Sequence, residues 1–343
     1  MTASEIASLR AALLNWYDAN ARTLPWRTEP GEQTRTDPYR VWMSEVMLQQ
    51  TTTVHAAPYF EAFTTRWPTV SDLAAAQDAD VMAAWAGLGY YARARNLLAC
   101  ARMVADEHGG VFPDTEEALL KLKGVGAYTA AAVAAIAFGR AANVVDGNVE
   151  RVMSRLFAVQ AEVPAARPEL KRLAAQFVSD HRPSDWPQAL MDLGARICRP
   201  KSPLCEQCPL SFGCAAFKEG EAQSYPRKAK KAERPHRLGH GFVLRDGKGK
   251  VALVRRPDKG LLGGMLGLMG SDWSAAPEYD PPFAADWVDA GTINHVFTHF
   301  SLDLTAHVAT GQSDDPSLIW MDEAEALASL PTVFRKALER ALA

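Results

Sequence analysis

The chain has 343 residues, of which 48% are hydrophobic and 22% are charged, as in an ordinary folded protein. This length suits two or three domains, and the composition argues against a disordered or fibrous chain. No apolar run reaches the roughly 18 residues that span a membrane. Residues 1–10 lack the basic start and apolar stretch of a secretion signal. We therefore expect a cytoplasmic protein with no membrane partner.

The formal net charge of −3 is divided unevenly along the chain. Residues 271–343 hold 12 Asp and Glu against 3 Lys and Arg, a net charge of −9, so the first 270 residues carry +6. The total alone would argue against a nucleic-acid partner. The basic excess of the first 270 residues restores that possibility.

Residues 1–217 are rich in Ala, Leu and Arg and repeat their apolar positions at helical spacing. Asp37 before Pro38 predicts a helix start, because it places an N-cap before a proline in the first turn. Further helices are predicted after Thr115, over residues 127–138 and from Asp146. These signals predict an all-α domain over residues 1–217.

The composition changes after residue 217. Residues 218–237 carry many Lys and Arg without apolar periodicity, which predicts a basic linker, either a solvated tether or a segment that contacts DNA. In residues 238–343, short strand-like runs near Gly241, Lys250 and Phe300 precede predicted helices over residues 322–329 and 332–342. A small α+β domain is therefore predicted after the linker.

Residues 122–130, Leu-Lys-Gly-Val-Gly-Ala-Tyr-Thr-Ala, lie between two predicted helices in a helix-hairpin-helix segment of about residues 115–139. Gly124 and Gly126 let the backbone turn tightly and leave amide N–H groups uncovered at a helix start, where an anion is stabilised. A DNA phosphate could bind there, and such a contact would not depend on the DNA sequence. The alternative is a plain turn between helices, where glycine is common.

Four of the five cysteines lie within 17 residues, in the spacing C-x6-C-x2-C-x5-C: Cys198, Cys205, Cys208 and Cys214. Such clustering without a secretion signal indicates a metal site rather than disulfides. Structural zinc sites usually pair two C-x2-C knuckles, and only one is present here. Four thiolates on one loop suit an iron–sulfur cube, so a 4Fe-4S cluster is the predicted cofactor and zinc is the alternative.

Together these motifs resemble the endonuclease III superfamily of DNA glycosylases. The runs Leu-Pro-Trp-Arg at residues 24–27, Asp-Pro-Tyr-Arg-Val-Trp-Met-Ser-Glu-Val-Met-Leu-Gln-Gln-Thr at 37–51 and Gly-Leu-Gly-Tyr-Tyr-Ala-Arg-Ala-Arg-Asn at 87–96 resemble its MutY-type adenine DNA glycosylases. The likeness is strong over residues 8–217 and weaker from 238. It implies a mainly α, helix-hairpin-helix glycosylase fold with a 4Fe-4S loop over residues 198–214, followed by a MutT-like (Nudix-fold) α+β domain.

Glu45 and Asp146 are the predicted catalytic carboxyl groups. Cleavage of an N-glycosidic bond needs a protonated leaving base and a stabilised positive charge on the sugar, and glycosidases divide these roles between two carboxyl groups. The resemblance implies that Glu45 protonates adenine N7 and activates water, while Asp146 stabilises the sugar cation. Apolar neighbours of Glu45 predict a raised pKa that keeps it protonated.

The resemblance adds Tyr128 and Asn148 to the catalytic residues. Bifunctional members of the superfamily carry a lysine at the position of Tyr128, and its amine forms a Schiff base that cleaves the strand. Tyrosine cannot form a Schiff base, so a monofunctional enzyme is expected.

The target base must leave the stack for this chemistry. The resemblance implies that a group of residues lines the adenine pocket or fills the vacated space and wedges the opposite strand: Arg22, Trp26, Arg27, Leu48, Gln49, Gln50, Tyr90 and Gln188. Many members of the family have Glu rather than Gln at position 188.

The run Asn-His-Val-Phe-Thr-His-Phe at residues 294–300 resembles the Phe-Ser-His loop of the family, with Thr298 in place of Ser. The resemblance implies that Thr298 and His299 recognise 8-oxoguanine opposite the adenine, since threonine keeps the hydroxyl. Residues 260–270 are not followed by the Glu-rich helix that holds magnesium in a Nudix hydrolase. The domain over residues 238–343 is therefore predicted to recognise DNA and not to be a second enzyme.

These inferences predict a monomeric, monofunctional DNA repair glycosylase of the nucleoid. Its predicted substrate is double-stranded DNA in which adenine is mispaired with 8-oxoguanine or guanine. Two alternatives stay open: a bifunctional thymine or pyrimidine DNA glycosylase, and a non-catalytic iron–sulfur protein that binds DNA.

Overall fold

The computed structural model describes residues 1–32, 36–229, 234–257 and 260–343. These form two compact units, residues 1–229 and 230–343. The first unit is helical, and none of the described helices is long and apolar enough to cross a membrane. Its helices are α1 (Ala3–Asn20), α2 (Pro38–Met47), α3 (Thr53–Arg66), α4 (Val70–Ala74), α5 (Asp78–Ala84), α6 (Ala92–His108), α7 (Glu116–Leu119), α8 (Ala127–Ile136), α9 (Gly147–Leu156), α10 (Arg167–Ala175), α11 (Asp185–Arg196) and α12 (Ala215–Lys218).

The helix starts predicted from capping residues are confirmed. The Asp37 carboxylate accepts a hydrogen bond from the backbone N of Tyr39 at 2.9 Å. The Thr115 hydroxyl accepts one from the backbone N of Ala118 at 3.3 Å. The helix after Thr115, however, has a single turn before the hairpin begins. Because the chain turns at once through the glycines, there is no room for a longer first helix.

The predicted linker over residues 218–237 is wrong in its first half. Ala222 and Tyr225 are buried, and the backbone N of Val163 donates to the O of Arg227 at 2.9 Å. Residues up to 229 therefore belong to the first unit, because the aromatic ring and the backbone find partners there. Residues 230–233 lie outside the described residues, and residues 236–237 already belong to a strand.

Helix α8 lies against both halves of the first unit. It contacts α2 within one apolar core and α11, which packs on α1 and α9 in the other. Almost all of its side chains are buried, and most of them are alanines. Small side chains allow helices to approach closely, since the distance between helix axes depends on the residues at the contact. The start of α8 is therefore held close to α2 and α11.

The second unit is the predicted α+β domain. Its sheet has the strand order β3-β2-β1-β6-β5, with β4 paired to β1 and β7 paired to β2. Strands β1 and β6 are parallel, and the other pairs are antiparallel. Helix α14 packs on β5 and β6 with an apolar face that includes Phe334 and Leu338. The elements are β1 (His236–Arg245), β2 (Lys250–Arg255), β3 (Leu266–Gly267), β4 (Met269–Gly270), β5 (Val288–Val296), β6 (Ser301–Thr310), β7 (Leu318–Asp322), α13 (Glu323–Ser329) and α14 (Thr332–Leu342).

The two hairpin glycines should respond differently to alanine. Gly124 has a φ of +74°, and a Cβ there would lie 2.7 Å from Cβ of Asn96. We expect Gly124→Ala to lower the free energy of unfolding by about 1–3 kcal/mol, measured by urea denaturation. Gly126 has no heavy atom within 4 Å of the added Cβ, so Gly126→Ala is the matched control, with a smaller expected change. Equal effects would contradict this assignment.

Candidate active site

A cavity of about 360 Å³ opens beside α2, at the start of α8 and α9 and along α11. Such a volume lies within the range of small-molecule sites, about 300–1,000 Å³. It brings together most of the residues predicted for catalysis and for the base pocket: Arg22, Trp26, Arg27, Glu45, Leu48, Gln49, Gln50, Tyr128, Asp146, Asn148 and Gln188. These residues come from separate stretches of the chain, so only the fold gathers them.

Glu45 is the buried acid of this cavity. It lies on α2 with 6% of its surface exposed, and its Oε2 accepts a hydrogen bond from the Tyr128 hydroxyl at 2.7 Å. Burial raises the pKa of Glu45 to about 7, although the Tyr128 hydrogen bond acts in the lowering direction. The nearby charge of Asp146 also raises the pKa, and Arg27 lowers it. Near neutral pH, a substantial fraction of Glu45 is therefore protonated.

Asp146 is held as the N-cap of α9. Its Oδ1 accepts a hydrogen bond from the backbone N of Val149 at 2.7 Å, and its Oδ2 accepts one from Asn148 Nδ2 at 2.8 Å. Both carboxylate oxygens are thus fixed at a helix N-terminus, where negative charge is stabilised. A carboxylate in this position can face a developing cation across the cavity.

Arg151 fixes the orientation of Asn148 and was missed by the sequence reasoning. Its Nη2 donates to Asn148 Oδ1 at 2.8 Å and to the O of Gly194 at 2.7 Å, while its Nε donates to the O of Cys198 at 2.7 Å. An amide whose oxygen accepts from arginine must present its NH₂ group elsewhere, here to Asp146. The cysteine loop and Asp146 are thus connected by hydrogen bonds.

Asp192 is a second residue that the sequence reasoning missed. Its carboxylate is fully buried and accepts hydrogen bonds from Arg22 Nε at 2.7 Å and from Arg27 Nη1 at 2.9 Å. Both arginines line the cavity, and the carboxylate balances their charge and fixes their direction. An acidic residue one helical turn after the buried Gln188 was the available signal.

Gln50 and Tyr90, which the family likeness assigns to the vacated space and the opposite strand, share an unusual backbone conformation. Their φ values are +59° and +50°, and only a few per cent of non-glycine residues have positive φ. Arg93 ties the two segments together, because its Nη1 donates to the O of Val46 at 3.0 Å and its Nη2 to the O of Leu88 at 3.0 Å. Tyr90 does not line the cavity and is 58% exposed.

The hairpin glycines and the two residues predicted to recognise 8-oxoguanine lie outside the cavity. Gly124 and Gly126 are exposed in the hairpin before α8, where backbone amides can be reached from solvent. Thr298 and His299 belong to the second unit and are exposed between β5 and β6.

The four clustered cysteines line one small cavity with Arg155. Within the described ranges, no group of three or more His, Cys, Asp or Glu side chains is arranged to hold a metal ion. Arg155 is 2% exposed, and its Nη1 donates to Cys198 Sγ at 3.2 Å. No carboxylate oxygen of the described residues lies within 4 Å of this guanidinium. A buried cation that faces sulfur and lacks a carboxylate suits an anionic thiolate cluster.

Three of the four thiol groups are poor anions without a metal. Burial raises the pKa of Cys208 to about 12, and burial also raises the pKa of Cys205 and Cys214. A bound metal centre would supply the positive charge that deprotonates them, because thiolates are the form that ligates metal. The donor set and the buried arginine fit an iron–sulfur cluster.

Comparison with known families matches two models to this chain. Residues 43–178 match the HhH-GPD superfamily of base excision DNA repair proteins, and residues 240–340 match the NUDIX domain. A solved structure of a thermostable thymine-DNA glycosylase is 31% identical, with a TM-score of 0.57 over 63% of this chain and 98% of that one. The chain therefore belongs to the HhH-GPD superfamily of base excision DNA repair proteins.

The predicted likeness to adenine DNA glycosylases is also confirmed. The curated adenine DNA glycosylase of Arabidopsis thaliana is 40% identical over 76% of this chain, and that of Homo sapiens is 46% identical over 64%. The chain spans 47% and 41% of the lengths of these two relatives. A helix-hairpin-helix glycosylase fold followed by a Nudix-like domain is thus the architecture of this chain.

Replacing the buried acid should make the fold less sensitive to pH. The folded pKa of Glu45 is about 7, above its ordinary value of 4.5, so the folded state binds this proton more tightly and folding weakens as pH rises through that window. The expected loss in the free energy of unfolding is about 2–3 kcal/mol between about pH 5 and about pH 8. Glu45→Gln should remove it, as measured by urea denaturation at both pH values.

The matched control is Glu117→Gln, whose side chain is 87% exposed in the same unit. It should keep the pH dependence of the parent protein. If Glu45→Gln follows the parent at both pH values, the buried carboxyl does not bind its proton more tightly in the folded protein.

Proposed function

We propose that this protein is a monofunctional adenine DNA glycosylase. It hydrolyses the N-glycosidic bond of adenine mispaired with 8-oxoguanine or guanine in double-stranded DNA. The observation that carries the proposal is the buried Glu45, hydrogen-bonded to Tyr128, in one cavity with Asp146. Curated relatives named adenine DNA glycosylases support the substrate class.

Glu45 is the general acid in this reaction. A carboxyl group whose pKa is raised to about 7 by burial still carries a proton near neutral pH and can give it to N7 of a flipped adenine. The bond between the sugar C1′ and adenine N9 then breaks, and its electron pair leaves with the protonated base. The resulting Glu45 carboxylate accepts a proton from water as the water oxygen bonds to C1′.

Asp146 stabilises the sugar between these two steps. Its oxygens are fixed by Val149 and Asn148, so it presents negative charge without reorganisation when the oxocarbenium ion forms. Tyr128 positions Glu45 and, lacking an amine, offers no Schiff base to cleave the strand. The products are free adenine and an intact strand with an abasic site.

The base pocket is lined by both polar and apolar side chains. Arg22 and Arg27, aligned by Asp192, face the cavity along with Gln188, whose Nε2 is occupied by the O of Ser184 at 3.1 Å. Trp26 and Leu48 supply the apolar surface. In our proposal, Gln50 fills the gap left by the flipped base and Tyr90 wedges the opposite strand.

The second unit recognises the base opposite the adenine. Thr298 and His299 offer a hydroxyl and a ring nitrogen at an exposed position between two strands, where a base edge can reach them. The glycines of the hairpin hold phosphate groups of the duplex. Acting as a monomer on mispaired DNA, the protein would work at the nucleoid.

A 4Fe-4S cluster is the cofactor that we propose for the four clustered cysteines. Cys198, Cys205, Cys208 and Cys214 would hold it, and Arg155 would balance part of its charge. The cluster would supply a rigid cross-link within the loop and no step of base release.

The proposed activity is tested with a duplex that carries adenine opposite 8-oxoguanine. The parent protein should release adenine and leave a site that breaks only in alkali, while Glu45→Gln should lose at least about 100-fold in single-turnover rate. The rate should fall as pH rises through about 7, because Glu45 loses its proton.

Glu117→Gln is the matched control for this assay and should keep the parent rate, since its side chain is solvent-exposed. No alkali-labile site, or equal rates for the parent and Glu45→Gln, would refute the proposal. A duplex with thymine opposite guanine tests the activity named for the similar thymine-DNA glycosylase, and strand cleavage without alkali would indicate a bifunctional enzyme.

The cofactor is tested by elemental analysis of the purified protein. We expect about four iron atoms per chain, with matching sulfide. Cys208→Ser should lower the iron content, while Cys100→Ala, at a buried cysteine in the other core of the unit, should retain it. Zinc in place of iron, or full iron content in Cys208→Ser, would contradict the cluster.

A further inference from the structure

The turn between β5 and β6 projects two polar side chains from the second unit. The backbone N of Phe297 donates to the O of Phe300 at 2.9 Å, which closes a tight turn around Thr298 and His299. Both middle residues are exposed, whereas Phe300 is buried and Phe297 is partly buried. The two phenylalanines therefore hold the base of the turn while its tip faces solvent.

Trp273 packs beside these two phenylalanines. Its ring stacks on Phe297, with centroids 5.5 Å apart and an interplanar angle of 29°, and lies 6.2 Å from the Phe300 ring. Gly239 leaves room for the indole, because a Cβ there would come within 2.6 Å of Trp273 Cδ1. Packed aromatic rings with few rotatable bonds make the turn a rigid projection.

Two arginines lie on these rings. The guanidinium of Arg237 lies 4.3 Å from the centroid of the Phe300 ring, and that of Arg256 lies 5.6 Å from the Trp273 ring. Arg237 is exposed and Arg256 is partly buried. The Nε of Arg256 is buried without a hydrogen-bond partner among the described residues. Cation–π contact orients both guanidinium groups without occupying their N–H donors.

A third cation reaches the same turn from α14. Lys336 Nζ donates to the backbone O of Asn294 at 3.4 Å, two residues before Val296 ends β5. Burial lowers the pKa of His295, and the charge of Lys336 lowers it further. Lys336 is exposed, so its remaining donors face solvent.

None of these three cations has a carboxylate oxygen of the described residues within 4 Å. Asp303 is an acidic residue beside them, and it bonds to Asn294 and to His236 instead. Arg237 and Arg256 precede the acidic residues 271–343, and Lys336 lies within them. Within the described part of the domain, three cations without a carboxylate partner thus lie around the turn that presents Thr298 and His299.

We propose that Arg237, Arg256 and Lys336 form a basic collar that binds phosphate groups of duplex DNA beside the turn. This inference rests on the proposed function, because it takes the turn as the part that contacts the base opposite adenine. The collar holds the backbone of that strand, and the tip of the turn reaches the base.

Phosphate is the ligand that suits these groups. Guanidinium groups donate in a planar fork that matches phosphate oxygens, and an ammonium group adds a flexible point charge. Phosphate contacts fix the register of a protein on DNA without reading sequence. The collar therefore contributes equally to binding of damaged and undamaged strands, whereas Thr298 and His299 account for the difference between them.

The test measures binding of the full chain to duplexes with adenine opposite 8-oxoguanine and opposite guanine. Glu45→Gln is the background, so that no base is released, and affinity is measured by fluorescence anisotropy over a range of salt. Arg237→Gln, Arg256→Gln and Lys336→Gln should each reduce the slope of log affinity against log salt by about 1. Each should weaken binding to both duplexes by the same factor.

Arg335→Gln is the matched control on α14, because Arg335 is already paired with Glu339 at 3.8 Å. It should leave the slope unchanged. Arg256→Lys keeps the charge and should also keep the slope. If Arg256→Gln does not fold, Arg237→Gln and Lys336→Gln decide the question.

Unchanged slopes in Arg237→Gln and Lys336→Gln would overturn the collar. So would a loss confined to the 8-oxoguanine duplex, because it would mean that these residues read the base. Failure of the proposed function is a separate result, since it appears as absent adenine release by the parent protein. Reduced slopes would support the collar even then.

Discussion

The site depends on keeping one carboxyl group out of water. Glu45 lies on a helix whose other side chains are almost all buried, and its one described hydrogen bond comes from Tyr128. Ionisation there is unfavourable, so the fold binds a proton that an exposed glutamate would release. The same burial that supplies an acid near neutral pH also opposes folding when that proton is lost. The burial that raises the pKa of Glu45 therefore also lowers the free energy of unfolding when Glu45 is ionised.

The rest of the cavity compensates for buried charge with fixed partners. Asp192 balances the two arginines that line the cavity, and Arg151 orients the amide that holds Asp146. In the cysteine cavity, Arg155 donates a hydrogen bond to the sulfur of Cys198. Because these groups are hydrogen-bonded in several directions, each one keeps a single orientation. Removing one member would leave another charge buried without a partner, which is why such networks are sensitive to substitution.

In the second unit, some cations lie without a carboxylate partner among the described residues. It holds 13 Lys and Arg against 15 Asp and Glu, and three of these cations, Arg237, Arg256 and Lys336, lie around the turn that presents Thr298 and His299. A domain whose net charge is slightly negative can still attract a nucleic acid at one place, because screening in physiological salt limits the reach of each charge to about 8 Å. Net charge alone therefore says little about which face of a domain meets DNA.

The sequence by itself determined the helical and α+β regions, the starts of α2 and α9, the cysteine loop and the acid Glu45. Each of these depends on neighbours in the chain: a cap before a proline, a short spacing of thiols, an acid among apolar residues. Family likeness supplied the remaining site residues. Only the tertiary structure decided the roles of Asp192, Arg151 and Arg93, since each of them also has a partner that lies 43 to 170 residues away. It also decided that the basic segment before residue 230 packs on the first unit, because burial of Tyr225 needs a surface that no local pattern describes.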